Sequence, residues 1–176
     1  FYNSLLAYVY FNTSFTMDLV LISISSILLF ILFLNVKSSF KKIYSIEVHT
    51  RAIFDFLCIA SIYMFLSVIV RLGLPMWSSL LIIGVSSLIF FWSDIKIHRK
   101  ESMSASILSI VSSSFVVFSS CLFFDTNIFI VPAVGTLSFY LILSLWNVRF
   151  SGKLKFTDYI PPFIYTILAL ILILNL

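Results

Sequence analysis

The chain has 176 residues, of which 61% are hydrophobic, 18% aromatic and only 10% charged, with a formal net charge of +4 and a mean hydropathy of +1.16. A water-soluble domain must cover itself with polar groups, and this composition excludes one. Gly and Pro, at four each, are too scarce for a soluble β-rich fold or a disordered tail.

The apolar runs are long and continuous rather than alternating, so the expected class is all-α, a polytopic membrane protein of helices and not a barrel. Residues 1–16 ("FYNSLLAYVYFNTSFT") lack the basic region of a secretory signal. Their Tyr and Phe content suits an outer interfacial segment. Six spans follow, at about 17–35, 52–70, 76–93, 103–124, 128–147 and 161–176. Roughly 20 apolar residues cross the hydrocarbon core. The first residue is Phe, and the last run is short, which reads as a chain cut at both ends. One membrane domain, residues 1–176, accounts for the whole sequence.

Charge fixes the expected topology. Segments 36–51, 94–102 and 148–160 carry Lys37, Lys41, Lys42, Arg51, Lys96, Arg99, Lys100, Arg149, Lys153 and Lys155, ten of the eleven basic residues. The turns near 71–75 and 125–127 hold only Arg71. By the positive-inside rule, the three basic loops face the cytoplasm and both termini face outward.

Several polar residues have a plain packing reading. Cys58 and Cys121 are expected at different depths, too far apart to bridge. His49 and His98 fall at the membrane edge, where a bis-histidine haem would not be held. Ser102, Ser106, Ser109, Ser113 and Ser120 follow helical spacing on the fourth span and suit close helix approach. Asp55 stands four residues after Arg51, an i,i+4 pair that neutralises both near lipid. Arg71 is expected to snorkel to the outer headgroups.

Asp94 and Asp158 remain, each a carboxylate at the cytoplasmic edge among Lys and Arg. Basic residues there attract anionic headgroups and phosphorylated ligands. A carboxylate among them can hold Mg²⁺ against a phosphate. The plain reading is a solvated loop.

The loops carry a resemblance. "KKIYSIEVHTRAIFDF" resembles the "RKxHxxPxPxxGG" loop of the polyprenyl-phosphate N-acetylhexosamine-1-phosphate transferases, with His49 as the loop's histidine. "WSDIKIHRKESMSASIL" looks like that family's "DDxxxLSxxxKLxxQ" loop, with Asp94 at its second aspartate. "LSLWNVRFSGKLKFTDYI" falls where the family has "NxxNxxDGxDG", with Asn147 at the first asparagine. The order of spans agrees, and the likeness covers the family's N-terminal half. Departures are visible: Ser93 replaces the first aspartate, the Gly-Gly is absent, and Phe150, Lys153 and Phe156 stand where the family has its second Asn and two Asp residues.

The resemblance implies transfer of a sugar-1-phosphate from a UDP-sugar to a polyprenyl phosphate at a prokaryotic plasma membrane. Asp94 would hold Mg²⁺, and His49, Lys96, Arg99, Asn147 and Lys153 would surround the phosphates, with Asp158 as a second carboxylate. The degraded motifs admit an inactive relative as well as an active one.

Two rival readings stand beside this. "SDIKIHRKE" also looks like the "DxKxxxIPN" segment of the GxGD-type prepilin peptidases, in which Asp94 and Asp158 would share a proton and activate water, although "KFTD" lacks the motif's glycine. The chain also suits an accessory or structural subunit of a membrane complex or homo-oligomer. The expected surroundings are the lipid bilayer, with no nucleic-acid partner.

Overall fold

A computed structural model describes residues 1–39, 47–98, 102–150 and 156–175, without the side chains of residues 32, 35–39, 47–54, 94, 96–98 and 102–104. The described residues form helices and turns with no strand: α1 (Tyr2–Phe11), α2 (Phe15–Ser39), α3 (Glu47–Arg71), α4 (Met76–His98), α5 (Ser102–Leu122), α6 (Ile130–Phe150), a short 3₁₀ helix (Phe156–Tyr159) and α7 (Ile160–Leu174). Each of α2 to α7 coincides with one expected apolar run. Among the described residues four segments are long and apolar enough to cross a membrane: Met76–Ser93, Ala105–Leu122, Ile130–Phe150 and Phe156–Leu174. The protein is a multi-pass integral membrane protein.

The helix ends follow local chemistry. The carbonyl run of α1 stops at Asn12, which is extended, and the Asn12 Nδ2 donates to Asp18 Oδ1 at 2.7 Å. Asp18 lies in the first turn of α2, where the helix dipole favours a carboxylate. α3 closes on Gly73, whose φ of +61° places it in the left-handed region, with its N–H donating to the Val70 carbonyl. Pro75 then precedes α4. Pro161 and Pro162 open α7, where a missing N–H costs nothing.

α3, α4, α5 and α6 build the core. α4 lies along α5, α3 along α6, and α5 along α6. The centre holds Ile62, Leu66, Ile83, Phe91, Ile95, Val116, Phe139 and Leu143, all essentially buried. The Phe91 and Phe139 rings meet at 4.4 Å between centroids, and Phe90 approaches Phe139 edge-on at 6.4 Å. The α4–α5 seam is lined with small residues. Ser79, Ser87, Ser109 and Ser113 are buried, and a Cβ on Gly84 would come within 3.2 Å of Val117, while buried Ser120 faces Gly135 of α6. Most of these hydroxyls return their hydrogen to a carbonyl three or four residues back in their own helix. Ser87, Ser109 and Ser113 thus serve the seam by being small, with their hydroxyls turned back on their own helices.

Arg71 has protein partners that the sequence did not suggest. Its guanidinium donates to the Phe11 carbonyl at 2.8 Å and lies 5.5 Å from the Tyr8 ring centre. The end of α1 thus offers both a partial negative charge and a π face, and α1 packs on α3. The expected loop at 94–102 also differs: α4 continues as helix through His98, and α5 begins at Ser102.

Two glycines separate backbone strain from lack of space. Around Gly73 there is nothing within 4 Å of an added Cβ, so Gly73→Ala should cost about 1–2 kcal/mol from its left-handed backbone alone. At Gly135 an added Cβ would stand 2.7 Å from Leu66 Cδ1 and 2.9 Å from Ser120 Oγ. Leu66 is 1% exposed and has no room to retreat, so Gly135→Ala should cost about 1–3 kcal/mol by overpacking. Thermal unfolding in detergent checks the distinction. Leu66→Ala should reduce the penalty at Gly135 and leave that at Gly73 unchanged; equal behaviour of the two sites would refute it.

Candidate functional site at the shared end of three helices

Three helix ends that carry the candidate residues lie at one end of the core. These are the start of α3, the last turns of α4 and the last turns of α6. α3 packs on both of the others, and Ile95, one residue past Asp94, is fully buried there. α3 supplies His49 and Asp55, α4 supplies Asp94 and Lys96, and α6 supplies Asn147.

The tie between two of these ends is polar. Asn147 Nδ2 donates to Asp55 Oδ2 at 2.8 Å, across 92 positions of sequence and at a half-buried site. An ionised carboxylate can only accept, so the amide must turn its nitrogen toward α3. A charged acceptor makes this stronger than a neutral hydrogen bond. Asp55 therefore has a partner on another helix, besides the Arg51 that its spacing suggested; the Arg51 side chain lies outside the described residues. Asn147, expected beside a phosphate, is bonded to Asp55 in this structure.

The other expected site residues distribute as follows. His49 lies in the first turn of α3, and Asp94 and Lys96 on the last turns of α4, with their side chains outside the described residues. Arg99 and Lys153 lie wholly outside them. Asp158 sits in the 3₁₀ helix before α7, half-buried. Among the described residues no three His, Cys, Asp or Glu side chains come together as a metal site. Cys58 is buried, as packing predicts, and Cys121 is exposed; the two are not bridged.

A feature that sequence reading missed adjoins this end. α6 forms the floor of a cleft of about 1070 Å³, walled by α5 on one side and by α7 with its 3₁₀ helix on the other. Trp146 lies in the floor. Its indole N–H donates to Ser112 Oγ on α5 at 2.9 Å, and its ring stacks on Phe150 at 5.7 Å. Arg149 lines the mouth, with Tyr159 and Phe156 beside it. Phe156 and Tyr159 are three apart in a 3₁₀ helix and so share a face, while Asp158 is not among the lining residues. Trp, Tyr and Arg near one end of two successive spans were the available signal.

Comparison with protein-family models, with curated proteins and with solved structures finds no match.

The α3–α6 tie has a measurable strength. Asn147→Leu should destabilise the protein by about 2–3 kcal/mol, because it leaves the half-buried Asp55 carboxylate without that donor. The double variant Asp55→Leu/Asn147→Leu should recover a large part of the loss, since no charge then stays behind. Unfolding midpoints of the two single variants and the double would test it. Simple additivity of the single effects would show that the two side chains do not act together.

Proposed function

We propose that the protein has six spans with both termini outward and works, or descends from a protein that worked, as the N-terminal half of a polyprenyl-phosphate sugar-1-phosphate transferase in a prokaryotic plasma membrane. The observation that carries this reading is the gathering of the α3, α4 and α6 ends, tied by Asp55 and Asn147. The three segments that resemble the family's loops leave from those ends. A substrate that is half lipid and half nucleotide needs a site where hydrocarbon and cytoplasm meet, and the basic segments are there.

In the reaction proposed, an oxygen of the lipid phosphate attacks the β-phosphorus of the UDP-sugar. A new P–O–P bond forms, the bridging bond between the α- and β-phosphates breaks, and UMP leaves with that bridging oxygen. The work of the protein is positioning and charge. Lys96, Arg99 and Lys153 would hold the two phosphate groups against their mutual repulsion. His49, one and a half turns before Asp55 on α3, would donate to a phosphate oxygen. Asn147, oriented by Asp55, would fix the α6 end beside them.

The oxygen donors at this end, a carboxylate at Asp94 and carboxylate and carboxamide groups at Asp55 and Asn147, suit a hard cation such as Mg²⁺. When bound there, Mg²⁺ supplies neutralisation of the diphosphate charge. Asp94 would be its main ligand, with Asp158 as a second carboxylate only if the 148–160 segment carries it inward.

The test is UMP release from UDP-N-acetylhexosamines by membranes holding the full-length gene product, with polyprenyl phosphate and Mg²⁺. The expected result is lipid-dependent release that falls at least 100-fold in Asp94→Asn. Folded protein with no release above empty membranes would instead assign the chain to an inactive relative or a structural subunit.

A further inference from the structure

The α5–α6–α7 cleft has a one-way gradient. Its part away from Arg149 is hydrocarbon: Phe115 from α5, and Leu141 and Ile142 from α6. Its mouth holds Arg149, the sole charged residue among the described residues that line it. Tyr159 and the Trp146 indole stand at the same level, the residue types that settle where lipid tails give way to headgroups. α7 packs along α6, and no extensive contact joins it to α5, so the cleft opens sideways along its length rather than through an end.

A gap of this shape cannot stay empty at membrane depth, because its walls would lose dispersion contacts on one side. Water does not suit it either, since the lining away from the mouth is apolar and the Ser112 hydroxyl is already engaged by Trp146 and the Leu108 carbonyl. The occupant must be an amphiphile, apolar where the cleft is apolar and anionic where Arg149 waits. A guanidinium binds phosphate through two parallel N–H donors, and a cation with no carboxylate among the described lining residues favours a net negative headgroup over a zwitterion.

We infer that this cleft is a binding site for an anionic glycerophospholipid of the surrounding leaflet, with one acyl chain laid between α5 and α7 over α6 and the phosphodiester on Arg149. The inference is independent of the transferase reading: it needs only the cleft, Arg149 and a bilayer. The rigid floor supports it. The Trp146–Ser112 bond and the Trp146–Phe150 stack hold the indole in place, so the lipid meets a formed surface instead of having to order one.

Native mass spectrometry of the delipidated full chain, titrated with phosphatidylglycerol or phosphatidylcholine of identical chains, tests this. One phosphatidylglycerol should bind about tenfold more tightly than phosphatidylcholine, and Arg149→Gln should bring the two to equality, whereas Arg149→Lys should keep most of the preference. Val111→Trp, which fills the cleft, should weaken both lipids alike. Equal binding of the two lipids by the unaltered protein would overturn the inference, as would an unchanged preference in Arg149→Gln. So would displacement of bound phosphatidylglycerol by equimolar polyprenyl phosphate, which would give the cleft to a carrier lipid. Should Arg149→Gln fail to fold, phosphatidylglycerol carrying a photoreactive acyl chain decides on the unaltered protein. Labels on the α5 and α7 segments containing Phe115 and Phe163 support the site; labels confined to α2 or the outer face of α4 refute it.

Discussion

Close approach of helix backbones is what this bundle depends on. In water, burying Leu or Phe drives folding, but in a bilayer the lipid tails are as apolar as the core, and that drive between helices vanishes. What remains is the density of contact. The α4–α5 seam reaches it through Ser79, Ser87, Gly84, Ser109 and Ser113, and Gly135 lets α6 come against Leu66 of α3 and Ser120 of α5 at once. The large rings then fill the space that these approaches define, Phe91 and Phe90 against Phe139. Bulk at the seam and bulk in the centre are thus opposite requirements, met by different residues on the same helices.

Among the described residues, polar side-chain bonds also join distant helices, each at the end of at least one helix of the pair. Arg71 binds α1 to the end of α3. Asn147 binds the end of α6 to the start of α3. Trp146 binds α6 to Ser112 of α5. Bonds of this kind are specific where dispersion is not, so they set which helices are neighbours and at what height. The candidate site inherits its geometry from them: moving Asp55 by one helical turn would separate the α3 and α6 ends that carry His49 and Asn147.

The helices were legible because a run of 18 or so apolar residues has few alternatives to a helix in lipid. The serine stripe was legible for a similar reason, since small residues at helical spacing have one obvious use. The Asp55–Asn147 pair was not. Arg51, at i−4, offered a local explanation for Asp55, and Asn147 had a motif position of its own, so neither residue asked for a distant partner. Yet both are polar groups in apolar runs at the same end of the chain's zigzag, and equal depth was the missing clue. The role of Arg71 escaped for another reason. Snorkelling is the general habit of a lone arginine at a membrane edge, and only the fold of residues 2–11 as a helix creates the carbonyl and the Tyr8 ring that Arg71 also contacts. The helical course of Ser93 to His98 was hidden by its charges, which read as a loop although Ile95 buries itself among the core residues.

The turn between α3 and α4 has a consequence for biogenesis. Its four residues, Leu72 to Pro75, with Gly73 in the left-handed region, leave the two helices no choice but to run back alongside each other. On the proposed topology they enter the bilayer as a hairpin, and its leading tip carries Arg71. Dragging that charge through the hydrocarbon centre opposes insertion by roughly 3 kcal/mol on the translocon scale. α1 precedes α3 in synthesis, so its carbonyl end and the Tyr8 ring are already waiting on the far side when the guanidinium emerges. The contact that closes α1 onto α3 is therefore also a catch, holding the hairpin across the membrane once it has passed.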